Sequence, residues 1–360
     1  MNNAKSLAPF SCQYTPQVPE LLQHLNCSIA ISTYQAGKIV FISAKNEDAL
    51  IQLPRNFEKA MGIAEDEQND RIAIALKNEV IVFSNSAELA KYYPKAPNKY
   101  DALYIPRNTF HTGPLDIHDL NFGERNTLYA VNTLFSCIVK IDSNYNFTPY
   151  WKPSFIDQLS SEDRCHLNGM AMKNGKPKYA TAFSDTNSPR GWRENITKTG
   201  IVIDIESNKV IADGLAMPHT PRIFNNDLYV LLSATGELVK INNDGTYDVI
   251  VSLDGFVRGM SLHKDYLFIG HSKLRRNSST FGKLPFAEKA NQAGIVIVHL
   301  PTKSIVGKIT YLTSLDEIYD VHVLANKSRP NILNTITEDY KTALMIPGKT
   351  FWGKENINNK

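Results

Sequence analysis

The chain has 360 residues, 42% hydrophobic, 21% charged and 10% aromatic; a usual single domain has roughly 100–200 residues, so two domains or one large closed one are implied. Ample apolar content and 39 basic against 36 acidic residues exclude disorder, and a net charge of +3 is too mild to point to nucleic acid. No apolar run approaches the about 18 residues of a membrane span, and the start, Met-Asn-Asn-Ala-Lys-Ser-Leu-Ala-Pro, lacks a signal-peptide core, so a cytoplasmic protein without a membrane partner is expected.

In chain order, residues 1–27 read as an N-terminal arm with a short helix, Pro19-Glu-Leu-Leu-Gln-His-Leu, whose first turn holds the proline. Three strand-like runs follow: Ser28-Ile-Ala-Ile-Ser, Lys38-Ile-Val-Phe-Ile and Ala49-Leu-Ile-Gln-Leu. One unit then recurs: an apolar strand, a tight polar turn, a strand ending in small or polar residues, and a third strand. The first copy is Met61-Gly-Ile-Ala, Arg71-Ile-Ala-Ile-Ala and Glu79-Val-Ile-Val-Phe; the second is His118-Asp-Leu-Asn-Phe, Thr127-Leu-Tyr-Ala-Val and Cys137-Ile-Val-Lys-Ile. A short helical stretch is predicted near Ser154–Leu159. The third copy is Asn168-Gly-Met-Ala-Met, Tyr179-Ala-Thr-Ala and Gly200-Ile-Val-Ile-Asp-Ile; the fourth is Thr220-Pro-Arg-Ile-Phe, Asp227-Leu-Tyr-Val-Leu-Leu and Glu237-Leu-Val-Lys-Ile. Arg258-Gly-Met-Ser-Leu, Tyr266-Leu-Phe-Ile-Gly and Gly294-Ile-Val-Ile-Val form the fifth, and Asp320-Val-His-Val-Leu opens a sixth with too little chain left to complete it.

The mean step is about 52 residues, a propeller-type period. Such sheets bury both faces only by stacking around an axis. The expected fold is all-β: a single six-bladed β-propeller over residues 28–350, closed by the N-terminal strands pairing with the C-terminal inner strand, with seven blades as the alternative and 351–360 as a tail. Cys12, Cys27, Cys137 and Cys165 lie far apart with no CxxC pair, which reads as reduced thiols rather than a disulfide framework or zinc site.

Loop lengths are asymmetric. Turns between first and second strands are short, whereas Asn85–Leu115, Ser143–Cys165, Asp185–Thr199 and Ser272–Ala293 are long and are all assigned to the opposite rim. Long loops on one rim of a rigid scaffold build binding sites. Near the inner-strand starts on that rim stand Lys59, Asp116, His118, His166, Asn168, His219, Arg222, Arg258 and Asp320, and the loops add Arg164, Arg190, Trp192, Arg193, His271, Lys273, Arg275 and Arg276. Arginine presents a planar fork of donors suited to carboxylate, sulfate or phosphate. Arg190, Arg193, Arg222, Arg258 and Arg275 are the candidate clamp, with Trp192 to stack on a flat group and Asn168 and Asp320 beside them. Arg222 could equally pair with Asp320 or Glu317 between blades. His118, His166, His219 and His322 have different offsets, so strand alternation is expected to send them in different directions and not into a metal ring. His166 and His219 are the candidate acid/base groups, and a buried structural histidine is the competing reading for His166.

The segments Arg164-Cys-His-Leu-Asn-Gly-Met-Ala, Pro189-Arg-Gly-Trp-Arg, Met217-Pro-His-Thr-Pro-Arg and Gly255-Phe-Val-Arg-Gly resemble an uncharacterised bacterial family, a conserved-hypothetical, domain-of-unknown-function group with a predicted propeller fold. Tyr34-Gln-Ala-Gly-Lys, Val131-Asn-Thr-Leu-Phe-Ser and His271-Ser-Lys-Leu-Arg share that likeness, which spans nearly the whole chain and implies fold and landmarks but no reaction. Leu167-Asn-Gly-Met-Ala gives a looser resemblance to six-bladed lactonases and strictosidine-synthase-like propellers, which would imply calcium on an axial Glu/Asn/Asp set. Asn132, Asn168 and Asp320 could fill part of that role, but Met61 and Arg258 stand at corresponding inner-strand starts, and an arginine repels a divalent cation.

The expected function is binding, and modification if the protein is an enzyme, of a small anionic molecule or an acidic or modified peptide in a cationic pocket at the axial mouth. No cofactor is predicted, and oligomeric state stays open. The alternatives are a non-catalytic ligand-binding or interaction scaffold, and a metal-dependent hydrolase or oxygenase using axial His, Asn or Asp.

Overall fold

Strand Cys27–Thr33 explains the architecture in small. All seven residues are buried, yet alternate side chains leave on opposite faces. Ile29 and Ile31 pack with Phe268, Ile295 and Ile297 on one side, while Ala30 packs with Ile72, Ile74 and Phe83 on the other. A sheet apolar on both faces requires a neighbour on each, and a ring of sheets supplies one. The computed structural model, which describes residues 7–274, 281 and 284–353, forms that ring.

Six sheets, each containing a four-stranded antiparallel meander, make a six-bladed β-propeller, so six blades hold rather than seven. Blade 1 joins the inner strand Asp320–Ala325 to Cys27–Thr33, Lys38–Ala44 and Leu50–Asn56. Its register runs from Cys27 opposite Ala325 to Ser32 opposite Asp320, the expected closure. The inner strands of blades 2 to 6 are Ile63–Asp66, Ile117–Phe122, Leu167–Lys173, Pro218–Phe224 and Phe256–His263. Two blades gain a fifth strand: Pro330–Ile332 runs parallel outside Ala102–His111 in blade 2, and Cys12–Tyr14 runs antiparallel outside blade 6.

Helix Val18–Leu25 holds Pro19 in its first turn and ends at Asn26 in the left-handed region, φ 51°. Its residues Val18, Leu22 and Leu25, spaced on one helical face, cap the core between blades 1 and 6. The segment at Ser154–Leu159 holds turns and bends instead of the predicted helix. Among the described residues no helix is long and apolar enough to cross a membrane, and all four cysteines are free.

Side-chain latches tie neighbouring blades. Hydroxyls at the ends of second strands donate to the backbone opening the next inner strand: Ser32 to Met61 O (2.5 Å), Thr133 to Leu167 O (2.6 Å), Ser233 to Val257 O (2.7 Å) and Ser272 to Ile318 O (3.1 Å). Inner-strand side chains of blades 1, 3 and 5 accept from the next blade. Asp320 takes Ile63 N–H (2.9 Å), Asp119 takes Met170 N–H (3.0 Å) and Thr220 takes Gly259 N–H (3.0 Å).

The long segment assigned from sequence to a single loop, Asn85–Leu115, divides instead around the outer strand Ala102–His111. Residues 86–101 therefore connect third and fourth strands and lie on the rim of the short turns. There helix Ala87–Lys91, capped by Ser86 Oγ, packs with the C-terminal hairpin Ala343–Ile346/Lys349–Trp352 through Leu89, Tyr93 and Trp352. Ser143–Cys165 divides likewise around the outer strand Thr148–Trp151, which leaves 143–147 on the short-turn rim and 152–165 on the opposite one, where Asp185–Thr199 and the described part of Ser272–Ala293 also lie.

Candidate functional site

Four inner strands carry one extra residue at equivalent places. His118 in blade 3, Asn168 in blade 4, the Thr220–Pro221 step in blade 5 and Gly259 in blade 6 each interrupt the register with the second strand. A bulge resets alternation and re-aims the side chains around it. The backbone is accordingly left-handed at Thr220 (φ 50°) and Gly259 (φ 69°), and just before the bulges at Asp116 (φ 56°) and His166 (φ 52°). For a β-branched threonine that conformation costs on the order of 1–3 kcal/mol and persists only where the surroundings impose it.

The bulges correct the expectation that the histidines point apart. The His118 ring meets that of His166 edge-on at 4.9 Å and lies 6.1 Å from that of His219. The fourth, His322, lies with its Nε2 3.5 Å from Asp320 Oδ2. Over the axis is a cleft of about 640 Å³, lined by Asp116, His118, Asp163, His166, Trp192, Arg193, Phe256, Arg258, Lys273 and Tyr319, with Tyr34, Gln35, Met61 and Phe281 among its other walls.

His166 is the most constrained group in the cleft. Its Nδ1–H donates to Asp163 Oδ1 at 3.0 Å, leaving Nε2 as the basic nitrogen. Asp163 is held in turn by Trp192 Nε1–H at 2.9 Å. The imidazole packs against both Phe183 (4.5 Å) and Trp192 (4.3 Å), which also touch each other (5.5 Å). His118 Nδ1–H donates to the Asp116 carbonyl at 2.9 Å, and burial, with His166 and Arg258 nearby, depresses its pKa to about 4 against the pull of Asp116. His219 shares a 3.0 Å hydrogen bond with Thr220 Oγ1, and burial and then Arg258 hold it well below the usual histidine range.

Arg258 is half-buried and differs from Arg164 and Arg222, which are both ion-paired. Its Cζ lies 4.7 Å from the Phe256 ring centre and 5.5 Å from that of Tyr319. Among the described residues no carboxylate bridges it, and its buried Nε has no hydrogen-bond partner. The Tyr319 hydroxyl is likewise buried and unpartnered among the described residues. Arg222 is the opposite case: a buried fork on Asp119 (2.8 and 3.1 Å) that also donates to Met170 O (3.1 Å).

The predicted residues thus divide. His166, Trp192, Arg193 and Arg258 come together in the cleft, while Asn168, His219, Arg222 and Asp320 gather with Asp119 and Thr220 around a crevice too narrow for a water molecule. Arg222 pairs with Asp119, not with Asp320 or Glu317. Arg190 is exposed and outside the cleft lining, Arg164 is buried in an ion pair with Glu162 (2.8 Å) and Asp157, and Arg275 and Arg276 lie outside the described residues. Sequence reasoning missed Asp163, three residues before His166, and Tyr319, whose place beside Asp320 at an inner-strand start is the signal that could have found it.

Calcium does not fit the axial set. Asp320 Oδ2 and Oδ1 accept from Ile63 and Val321 N–H (both 2.9 Å), Asn168 Oδ1 from Thr181 Oγ1 (2.7 Å), and Asn132 Oδ1 from Phe135 N–H (3.1 Å). Arg222 adds a cation to the same crevice. Among the described residues no group of three or more His, Cys, Asp or Glu could hold a metal ion.

Fold and site define a six-bladed β-propeller with an aromatic-walled cleft on its axis and, in that cleft, an arginine with no ion pair among the described residues. The chain belongs to the family described as Domain of unknown function (DUF4915), which matches residues 16–333. No curated protein matches it. Among solved structures it resembles a chain of a nidogen/laminin complex at 9% identity and TM-score 0.53, covering 83% of this chain and 99% of that one. A catalytically inactive virginiamycin B lyase from Staphylococcus aureus with quinupristin matches at 11% identity and TM-score 0.42, covering 84% and 99%. The β-propeller domain of Cps50 (Swd1) from Myceliophthora thermophila matches at 10% and 0.41, covering 88% and 90%. At such identities the likeness is one of fold.

Proposed function

We propose that the axial cleft binds a small anionic molecule, its anionic group on Arg258, and that His166 moves a proton on the bound ligand. The carrying observation is the Arg258 guanidinium, fixed between Phe256 and Tyr319 and lacking any ion-pair partner among the described residues. A half-buried guanidinium with a buried, unpartnered Nε–H and no carboxylate beside it gains a charge-assisted partner when an anion arrives. His166, oriented by Asp163 through Nδ1, has the arrangement of a general acid/base. Thiol chemistry is disfavoured, because burial pushes Cys27, Cys137 and Cys165 up to about 12.

Thermal shift against a panel of carboxylates, phosphates and sulfates tests the reading. A ligand is expected to raise the Tm of the wild type and not of Arg258→Met, and equal shifts in both would refute it. With that ligand, mass detection should find turnover that His166→Gln abolishes without loss of binding.

A further inference from the structure

Asp116 lines the same cleft as Arg258 and, among the described residues, is bridged by no lysine or arginine. It immediately precedes the inner strand of blade 3, and Arg258 lies on the inner strand of blade 6, opposite in the ring. Both line the same cleft, yet no salt bridge joins them. The carboxylate of Asp116 is half-exposed, and among the described residues it is paired only with His118, whose Nδ1 lies 3.8 Å away. That imidazole is neutral above about pH 4, so it does not compensate the carboxylate at neutral pH. The remaining charges facing the cleft are largely engaged. Asp163 holds His166 and Trp192, Lys273 is bridged to Asp316, and Glu317 accepts from Gln35 N–H. Arg193 stacks on Trp192 at the rim, 5.3 Å from its ring centre.

A cation and an anion that share a cleft without meeting are complementary to a ligand carrying both charges. We infer that the ligand is a small amino-carboxylate, its carboxylate on Arg258 and its ammonium on Asp116. This deepens the anion reading above and rests on it. The Tyr319 hydroxyl, buried beside Arg258, offers a further donor to the same carboxylate. Phe256 and Tyr319 lie against Arg258 and shield its contact with the carboxylate, while Asp116 meets the ammonium nearer to solvent.

The test is calorimetric titration with α-amino acids and the straight-chain ω-amino acids from glycine to 6-aminohexanoate, each beside its des-amino carboxylate, with the inorganic anions phosphate and sulfate alongside. At least one amino acid should bind roughly tenfold or more tightly than its des-amino partner. Asp116→Asn, which keeps a residue tolerant of the left-handed backbone, should erase that advantage and leave the des-amino acid unchanged. Arg258→Met should weaken both. Amino acids no tighter than their partners, or an advantage that survives Asp116→Asn, overturns this inference while the anion reading stands. If no anion in the whole series binds in an Arg258-dependent way, both fall.

Discussion

Two arginines on neighbouring inner strands should respond oppositely to the same substitution. Arg222→Met leaves the Asp119 carboxylate buried without its bidentate partner and frees the Met170 carbonyl. Breaking a buried pair from one side costs about 3–5 kcal/mol. With an unfolding entropy of about 2.1 cal/mol/K per residue over this length, that is a fall in Tm of about 4–7 °C. Arg258→Met removes two cation–π contacts of about 0.5–1 kcal/mol each. It also relieves a buried, unpartnered Nε–H worth about 1–3 kcal/mol, so the net change should stay within about 1 kcal/mol, or about 1 °C. Thermal scans and urea titrations of both variants without ligand measure the contrast. Equal losses would mean that Arg258 has a structural partner, and the division between a latch arginine and a ligand arginine would fall.

Burial, opposed by His322, pushes the Glu65 carboxyl up to about 7. A raised carboxyl stabilises the fold below its unfolded pKa and loses that contribution as pH rises through about 7, so Glu65→Gln should gain on the order of 3 kcal/mol over wild type between pH 4 and pH 8; parallel urea midpoints would reject the assignment. Gly259→Ala should destabilise by about 2–5 kcal/mol, since φ is +69° and the added carbon would stand 2.6 Å from the Asp320 Cα; a loss below about 1 kcal/mol would show that the bulge can relax. A thiol reagent should modify Cys12 alone in the native protein, the three buried thiols reacting only on unfolding; prompt reaction of Cys27, Cys137 or Cys165 would contradict their burial.

Blade number and closure are legible in the sequence because each inner strand starts a recognisable apolar run and the sixth start, Asp320, comes too late for a blade of its own. The strand Ala102–His111 is harder to see. Its second half, Pro106-Arg-Asn-Thr, lies at a sheet edge and is largely exposed, so it lacks the apolar signal of its neighbours. That is why residues 86–101 are assigned to the wrong rim. Arg258 and His166 can be picked out as residues near inner-strand starts, but their company cannot. The period-two rule fails at His118, Asn168, Thr220 and Gly259, where the extra residue changes which side chains share a face. Arg222 was singled out for a ligand because charge alone does not tell a solvated fork from one already filled by Asp119.

The ring closure has a consequence for how this molecule is made. Strand Cys27–Thr33 leaves the ribosome early, but its partner Asp320–Ala325 follows about 300 residues later, a delay of roughly 15–60 s at usual synthesis rates. Throughout that interval the edge Cys27–Ser32, whose side chains are buried in the finished ring, stands unpaired, available to the same late strand of another nascent copy. Crowded expression should therefore favour exchanged dimers joined through that seam, and permuting the chain so that both partners emerge together should suppress them.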